Sequence, residues 1–126
     1  MDAGDRGASG DAAFYDSVYG ASGGQLAATI RAEVYDEDIG QNSWVTAEEC
    51  RKHFAWLGLG ASSDVLEVAS GSGGPALFMA RETGCSVTGI ELHRAGVAAA
   101  TEAAGQRGLA DRARFMVGDA RPVAVR

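Results

Sequence analysis

The feature that most constrains the fold is the bend in residues 66–80, LEVASGSGGPALFMA, where an apolar run passes through three glycines into a helical pattern. The run at residues 64–69, DVLEVA, is nearly continuous, which predicts a short strand covered on both faces. Pro75 suits the first position of the following helix, and Gly84 supplies its stop. A strand that turns directly into a helix is typical of a parallel α/β protein.

The same alternation continues along the chain. Residues 86–90, SVTGI, are rich in β-branched side chains, an alanine-rich helical pattern covers residues 94–107, and residues 113–117, ARFMV, predict a third strand. Strands that alternate with helices form right-handed crossovers and a parallel sheet. We therefore expect an α/β fold with a parallel sheet, preceded by N-terminal helices.

Helical patterns precede the bend. Apolar residues recur at helical spacing over residues 14–35, with a break at the glycines of residues 20–24, which predicts two short helices. Thr46 and Glu49 form a capping box for a further helix. The buried face of that helix is expected to carry Cys50, Phe54 and Leu57.

Composition divides the chain and excludes some functions. Residues 1–13 predict a disordered tail, residues 14–60 a helical lid segment, and residues 61–126 the N-terminal half of a Rossmann-like domain. No segment reads as a targeting signal or as the roughly 20 apolar residues of a membrane span, which favours a cytoplasmic protein. The net charge of -6, with no clustered basic face, argues against nucleic-acid binding. No cluster of cysteine and histidine suggests a metal site.

Acidic residues stand at the ends of the three predicted strands. Glu67 lies in the first strand just before the glycines, Glu91 ends the second, and Asp119 follows the third. In an open parallel sheet the ligand crevice lies beyond the carboxyl ends of the strands. The three carboxylates are therefore expected to converge on one cleft.

The glycines alone do not identify the ligand. Gly71, Gly73 and Ala76 fit the dinucleotide pattern, with Glu91 at 20 residues after Gly71, which allows an NAD-type oxidoreductase. A pyrophosphate would bring negative charge close to Glu67, whereas a ligand with a sulfonium and an ammonium group would be attracted there. Asp119 is not required by a dinucleotide and could accept from an adenine amino group. A non-catalytic remnant is the third alternative.

Three segments resemble a known family. VLEVASGSGGPALFMAR, VTGIEL and RFMVGDA are similar to motif I, the acidic strand end that follows it, and motif II of the class I methyltransferases that use S-adenosylmethionine (SAM). The resemblance covers residues 65–120. The upstream stretches FYDSVYG and DIGQNSWVT resemble the N-terminal helical lid of the small-molecule branch of that superfamily. The resemblance implies SAM as the cofactor and a small molecule as the methyl acceptor.

The resemblance also implies roles around the methionine part of SAM. Glu67 and the backbone of the glycine-rich loop would hold it, the loop residues being Ala69, Ser70, Gly71 and Gly73. Tyr19 and Trp44 would close over the methionyl end. Ala69 stands where the family usually has its first glycine. If the φ angle of Ala69 is negative, its methyl group is tolerated, and we expect weakened rather than abolished binding.

The remaining implied roles concern the nucleoside. Glu91 would accept from the ribose hydroxyls, with Leu92 against the adenine. Asp119 and the amide of Ala120 would read the adenine edge.

The resemblance implies a Rossmann-like three-layer α/β/α fold with seven strands in the order 3-2-1-4-5-7-6. Only three strand patterns, which would take the order 3-2-1, are present here. We therefore expect the chain to be the N-terminal part of a methyltransferase, with its sheet ending after the third strand. No catalytic base, nucleophile or metal that activates an acceptor is identified, so the catalytic residues stay unknown. The first strand would then be an unpaired edge, which invites self-association.

Overall fold

A computed structural model describes residues 13–15, 17–18 and 24–121 of the chain. Residues 13–15 and 17–18 are helical. The elements that follow are α1 (Gln25–Val34), α2 (Ala47–Leu57), β1 (Asp64–Val68), α3 (Gly74–Thr83), β2 (Ser86–Glu91), α4 (Arg94–Gln106) and β3 (Ala113–Val117). The predicted alternation of strands and helices is confirmed.

The three strands form one parallel sheet in the order β1-β2-β3. In this register Glu67 lies opposite Gly89, and Gly89 lies opposite Phe115. The expected order and the Rossmann-like α/β class are therefore confirmed. Because all three strands run the same way, their carboxyl ends meet at one edge of the sheet.

Local sequence explains where the helices begin and end. The first turn of α3 contains proline, and Gly84 ends the helix with a φ of 76°. At the start of α2, the Thr46 hydroxyl accepts from the Glu49 amide, while the Glu49 carboxylate accepts from the Thr46 amide. Reciprocal caps of this kind satisfy two amides that the helix itself leaves without a partner.

The core lies on one face of the sheet. Helices α3 and α4 cover the face that carries Val65, Val87 and Ala113. Helix α2 packs further out, where the rings of Phe54 and Phe78 lie 5.9 Å apart between α2 and α3. The covered face therefore supplies the rigid support from which the strand ends project.

The opposite face of the sheet is open in the described part of the chain. Leu66, Val68 and Met116 are 61%, 57% and 50% exposed. The prediction that the first strand is covered on both faces is wrong, because the described helices α3 and α4 pack on the other face only. The edge position of β1 is as expected, since it pairs with β2 alone. Self-association through that edge stays a prediction.

The expected burial of Leu57 is wrong, and the expected disordered tail falls almost entirely outside the described residues. Leu57 is 70% exposed, so the face of α2 that is buried carries Cys50 and Phe54 without it. Leu57 is the last residue of α2, and Gly58 follows it as the C-cap. The predicted tail at residues 1–13 lies outside the described residues apart from Ala13. Over the described ranges, none of the helices has the length and apolar character needed to cross a membrane.

Candidate functional site

A cleft of about 350 Å³ lies at the carboxyl ends of the strands. It brings together five residues predicted from the sequence: Ala69, Glu91, Leu92, Asp119 and Ala120. The other lining residues are Tyr15, Val68, Ile90, His93, Gly118 and Arg121. The convergence of the second and third strand ends on one cleft is thus observed.

Glu91 is held in place by the loops on both sides of it. Its side chain is buried, with 4% of the residue exposed. Oε1 accepts from the amide of Gly71 and Oε2 accepts from the amide of His93, both at 2.9 Å. Charge-assisted hydrogen bonds of this kind hold a carboxylate in one orientation. The glycine-rich loop therefore directs an amide toward a protein carboxylate.

Asp119 is engaged by Arg121. Its carboxylate accepts from the Arg121 guanidinium, with Nε at 2.9 Å from Oδ1 and a terminal nitrogen at 2.6 Å from Oδ2. The Arg121 amide also donates to Oδ1, at 3.0 Å. These hydrogen bonds lower the pKa of Asp119 to about 2, so the carboxylate is charged at neutral pH. A ligand amino group that approaches Asp119 would share this acceptor with Arg121.

Glu67 lies behind the cleft instead of lining it. Its register partner Gly89 faces Ser70, whose hydroxyl oxygen would be 2.6 Å from a Cβ built on Gly89. Glu67 Oε2 and Ser70 Oγ are both buried, and neither has a hydrogen-bond partner in the described part of the chain. Burial raises the pKa of Glu67 from 4.5 to about 7. Both oxygens are therefore buried acceptors that lack a hydrogen-bond donor among the described residues.

Ala69 departs from the expected backbone conformation. Its φ is 59°, and among the described residues it is the one non-glycine residue with a positive φ. The expectation depended on a negative φ, and that condition is wrong. The tight turn out of β1 demands the left-handed region here, which costs a residue with a Cβ atom roughly 1–2 kcal/mol.

Ala69→Gly should therefore stabilise the chain. Glycine adopts a φ of 59° without the clash of the methyl group, although it also gains freedom in the unfolded chain. We expect a net increase of about 1 kcal/mol in the free energy of unfolding, measured by urea denaturation. Ala61→Gly, in an exposed turn, is the control and should give no increase. An unchanged or lower stability of Ala69→Gly would contradict the strained turn.

The glycines of the loop serve different purposes. Gly71 and Gly73 have φ angles of 56° and 84°. A Cβ on Gly73 would lie 2.7 Å from the Cβ of Ala100, so this glycine lets α4 approach the start of α3. Ser70, Gly71 and Gly73 do not line the cleft, and their predicted contact with a ligand stays a prediction.

Of the two aromatic residues predicted at the methionyl end, Trp44 does not line this cleft. Trp44 is 90% exposed and lies on a second cleft, beside Tyr35 and Ile30. Tyr19 lies outside the described residues. Their predicted role remains a prediction.

Sequence reasoning missed six lining residues of the cleft, and three of these carry a ring or a charge: Tyr15, His93 and Arg121. The rings of Tyr15 and His93 lie 5.3 Å apart at its mouth, and Arg121 engages Asp119. The position of His93, two residues after the acidic end of β2, was a usable signal, because that end points into the crevice. In the described ranges, no group of three or more acidic, cysteine or histidine residues is arranged to hold a metal ion.

A parallel sheet with acidic residues at successive strand ends is typical of α/β proteins that bind nucleotides or nucleosides at this edge. Comparisons with known proteins show which family of α/β proteins the chain resembles. Residues 65–126 match the model of a family described as a methyltransferase domain. No curated protein sequence gives a significant match.

Solved structures give the same result. The chain is similar to a SAM-dependent methyltransferase from Geobacter sulfurreducens, crystallised with S-adenosyl-L-homocysteine, with 28% identity, a TM-score of 0.61 and coverage of 83% of this chain and 36% of the other. A SAM-dependent methyltransferase from Thiobacillus denitrificans, in complex with the same molecule, is 28% identical with a TM-score of 0.56. That match covers 76% of this chain and 37% of the other. Geranyl diphosphate C-methyltransferase from Streptomyces coelicolor is 26% identical with a TM-score of 0.52. That match covers 58% of this chain and 27% of the other.

These findings identify residues 65–126 as part of a class I SAM-dependent methyltransferase domain. SAM is the cofactor of this family. The chain spans about a third of the length of the solved structures that it matches.

Proposed function

We propose that this chain binds SAM in the cleft at the strand ends and supplies the cofactor-binding part of a small-molecule methyltransferase. The observation that carries the proposal is the buried Glu91, fixed between the amides of Gly71 and His93 in a cleft that also contains Asp119. Both carboxylates accept hydrogen bonds, as a ribose diol and an adenine amino group require. The family match supports the same cofactor.

The polar groups of the site fit SAM by charge. Glu67 Oε2 and Ser70 Oγ are buried acceptors without a partner in the described ranges, and the ammonium group of a methionine moiety would satisfy them if binding displaces the groups that cover them. A pyrophosphate fits less well. The Gly71 amide, which a phosphate would need, already donates to Glu91, and a carboxylate at that point repels a second negative group.

The chain's part in the reaction is to bind and orient. When bound, SAM supplies a methyl group on a sulfonium: an acceptor lone pair bonds the methyl carbon, the C–S bonding electrons stay on sulfur, and the acceptor proton leaves to solvent. Glu91 would hold the ribose, Asp119 and the Ala120 amide the adenine edge, and Leu92 the adenine face. Fixing one reactant in this way converts orientation into rate.

A small-molecule acceptor is the substrate class that the chain favours. The net charge of -6 disfavours a nucleic-acid substrate. Among the similar structures, the Streptomyces coelicolor protein is named for geranyl diphosphate, and another from Galdieria sulphuraria is described as a sarcosine dimethylglycine methyltransferase. Each of those acceptors is a small molecule. An NAD-type oxidoreductase remains the alternative that the glycine pattern allows.

Asp119→Ala tests the proposal against that alternative. We expect the affinity for S-adenosyl-L-homocysteine to fall at least tenfold, about 1.4 kcal/mol, because the adenine loses a charged acceptor. Titration calorimetry of the chain with S-adenosyl-L-homocysteine and, separately, with NAD measures both ligands. The control is Asp111→Ala, since Asp111 is an exposed aspartate near the opposite end of β3. It should leave the affinity unchanged.

Two outcomes would contradict the proposal. The first is the absence of heat when the wild-type chain is titrated with sub-millimolar S-adenosyl-L-homocysteine. The second is a wild-type chain that binds NAD but does not bind S-adenosyl-L-homocysteine. Equal losses of affinity for S-adenosyl-L-homocysteine in Asp119→Ala and Asp111→Ala would show that Asp119 does not contact the adenine.

A further inference from the structure

A second cleft, of about 430 Å³, lies between α1 and the loop that leads to α2. Its walls are mostly apolar. Trp44 is 90% exposed, Val34 59% and Ile30 52%, so three large apolar side chains border one concave surface. Apolar groups gathered around a concavity are typical of ligand pockets, whereas scattered exposed apolar residues are common on any surface.

The loop that carries Trp44 is held firmly. The Tyr35 hydroxyl donates to the carbonyl oxygen of Ser43 at 2.5 Å. The buried Gln41 side chain accepts from the Ile39 amide at 2.9 Å and donates to the carbonyl oxygen of Val45 at 3.3 Å. These bonds lie on both sides of Trp44 in the chain, and they fix its backbone while the indole ring stays in solvent. The ring is thus a preorganised, uncovered aromatic surface.

A hydrogen bond links the wall of this second cleft to the glycine-rich loop. The Asn42 amide nitrogen, in the cleft wall, donates to the Ser72 hydroxyl at 2.8 Å. Ser72 belongs to the glycine-rich loop that the proposed function assigns to SAM. The Cα of Gly74 also lies against Gly40, 3.5 Å from a Cβ built there. The cleft wall is therefore joined through Asn42 to the loop that would hold the methionine part of the cofactor.

The charges of the cleft restrict its ligand. Arg31 is its one charged lining residue in the described part of the chain, and its Nε donates to Asp38 at 2.8 Å. The pair leaves the cleft close to neutral, which disfavours a strongly charged ligand. Asn42 can still accept a hydrogen bond through Oδ1. Stacking on an indole favours a planar ring.

We propose that this second cleft is the acceptor site, and that it takes an uncharged planar aromatic molecule with a hydroxyl group, stacked on Trp44. This inference rests on the proposed function, since only a SAM-binding neighbour makes the ligand a methyl acceptor. In the transfer, the acceptor oxygen would bond the methyl carbon, the C–S electrons would stay on sulfur, and the hydroxyl proton would pass to solvent.

The test uses 2-naphthol as the probe and the tryptophan indole N–H signals in nitrogen-15 NMR spectra as the readout. The chain has two tryptophans, Trp44 and Trp56, and Trp56 is a matched control because it is 80% exposed on α2. We expect 2-naphthol to shift the Trp44 signal, with a Kd on the order of 1 mM. Cyclohexanol, which is not planar, should shift it at least tenfold less at equal concentration.

Substitution locates the site. Trp44→Ala should weaken 2-naphthol binding at least tenfold, followed through backbone amide signals of residues 41–43, and Trp56→Ala should leave it unchanged. Equal shifts of both indoles, or binding that survives Trp44→Ala, would overturn the inference.

Calorimetry with S-adenosyl-L-homocysteine separates this inference from the proposed function. Trp44→Ala should retain the wild-type affinity within twofold. A tenfold loss would place Trp44 at the cofactor and overturn the acceptor site. If the wild-type chain binds 2-naphthol at Trp44 but gives no heat with S-adenosyl-L-homocysteine, the proposed function fails and the acceptor assignment is overturned with it.

Discussion

Gly74→Ala is expected to lower the free energy of unfolding by about 3 kcal/mol, the largest stability change we expect for one added methyl group. A Cβ on Gly74 would lie 2.6 Å from the carbonyl oxygen of Ile39 and 2.5 Å from the carbonyl carbon of Gly40, and closer still to the carbonyl oxygen of Gly40. All three are backbone atoms, which cannot rotate away as a side chain can. The loop before α2 would have to lift off the start of α3.

Gly105→Ala is the matched control for this prediction. Gly105 is also helical, in α4, but a Cβ there meets no atom within 4 Å. Alanine is the better helix former, so the variant should gain up to about 1 kcal/mol. Urea denaturation followed by circular dichroism measures both variants. If Gly74→Ala were as stable as Gly105→Ala, the close contact between the loop and α3 would be refuted.

Sequence alone predicts the features that depend on neighbours in the chain. The strand runs, the capping box at Thr46 and the stop at Gly84 are each determined by a few adjacent residues, and the structure confirms them. The strand order came from the family resemblance, because right-handed crossovers alone allow other orders. The cleft residues Glu91 and Asp119 were found because they stand at strand ends.

Features that depend on contacts between distant segments were not predicted. The sequence patterns assign no role to Gly74, whereas the structure explains it by the approach of Gly40. Ala69 was expected at a negative φ, and only the folded turn shows otherwise. The salt bridge of Arg121 with Asp119 needs the loop conformation after β3. In each case the decisive partner is absent from the local pattern.

Glu67→Gln is expected to remove a pH dependence of stability. The pKa of Glu67 is about 7 in the folded chain and near 4.5 when unfolded. Between these values the folded chain holds a proton that the unfolded chain has released, so raising the pH from 4.5 through 7 lowers stability. The shift corresponds to a loss of about 3 kcal/mol. The glutamine side chain cannot ionise and should not show this loss.

Urea denaturation at pH 5 and pH 8 measures the effect. From pH 5 to pH 8 the wild type should lose about 2.5 kcal/mol more unfolding free energy than Glu67→Gln, because part of the full loss already occurs below pH 5. Glu33→Gln, an exposed position in α1, should follow the wild type. A Glu67→Gln variant with the wild-type pH profile would mean that Glu67 is charged and solvated in the folded chain.

The same carboxyl links stability to the proposed cofactor. A bound ammonium favours the charged form of Glu67, so S-adenosyl-L-homocysteine should bind about tenfold more tightly at pH 8 than at pH 6 and release a proton from this residue. Calorimetry in two buffers with different ionisation enthalpies measures both quantities, with Glu33→Gln as the control. In Glu67→Gln the pH dependence should disappear. An affinity that is independent of pH in the wild type would place the ammonium away from Glu67, and the buried Oε2 would then need another donor.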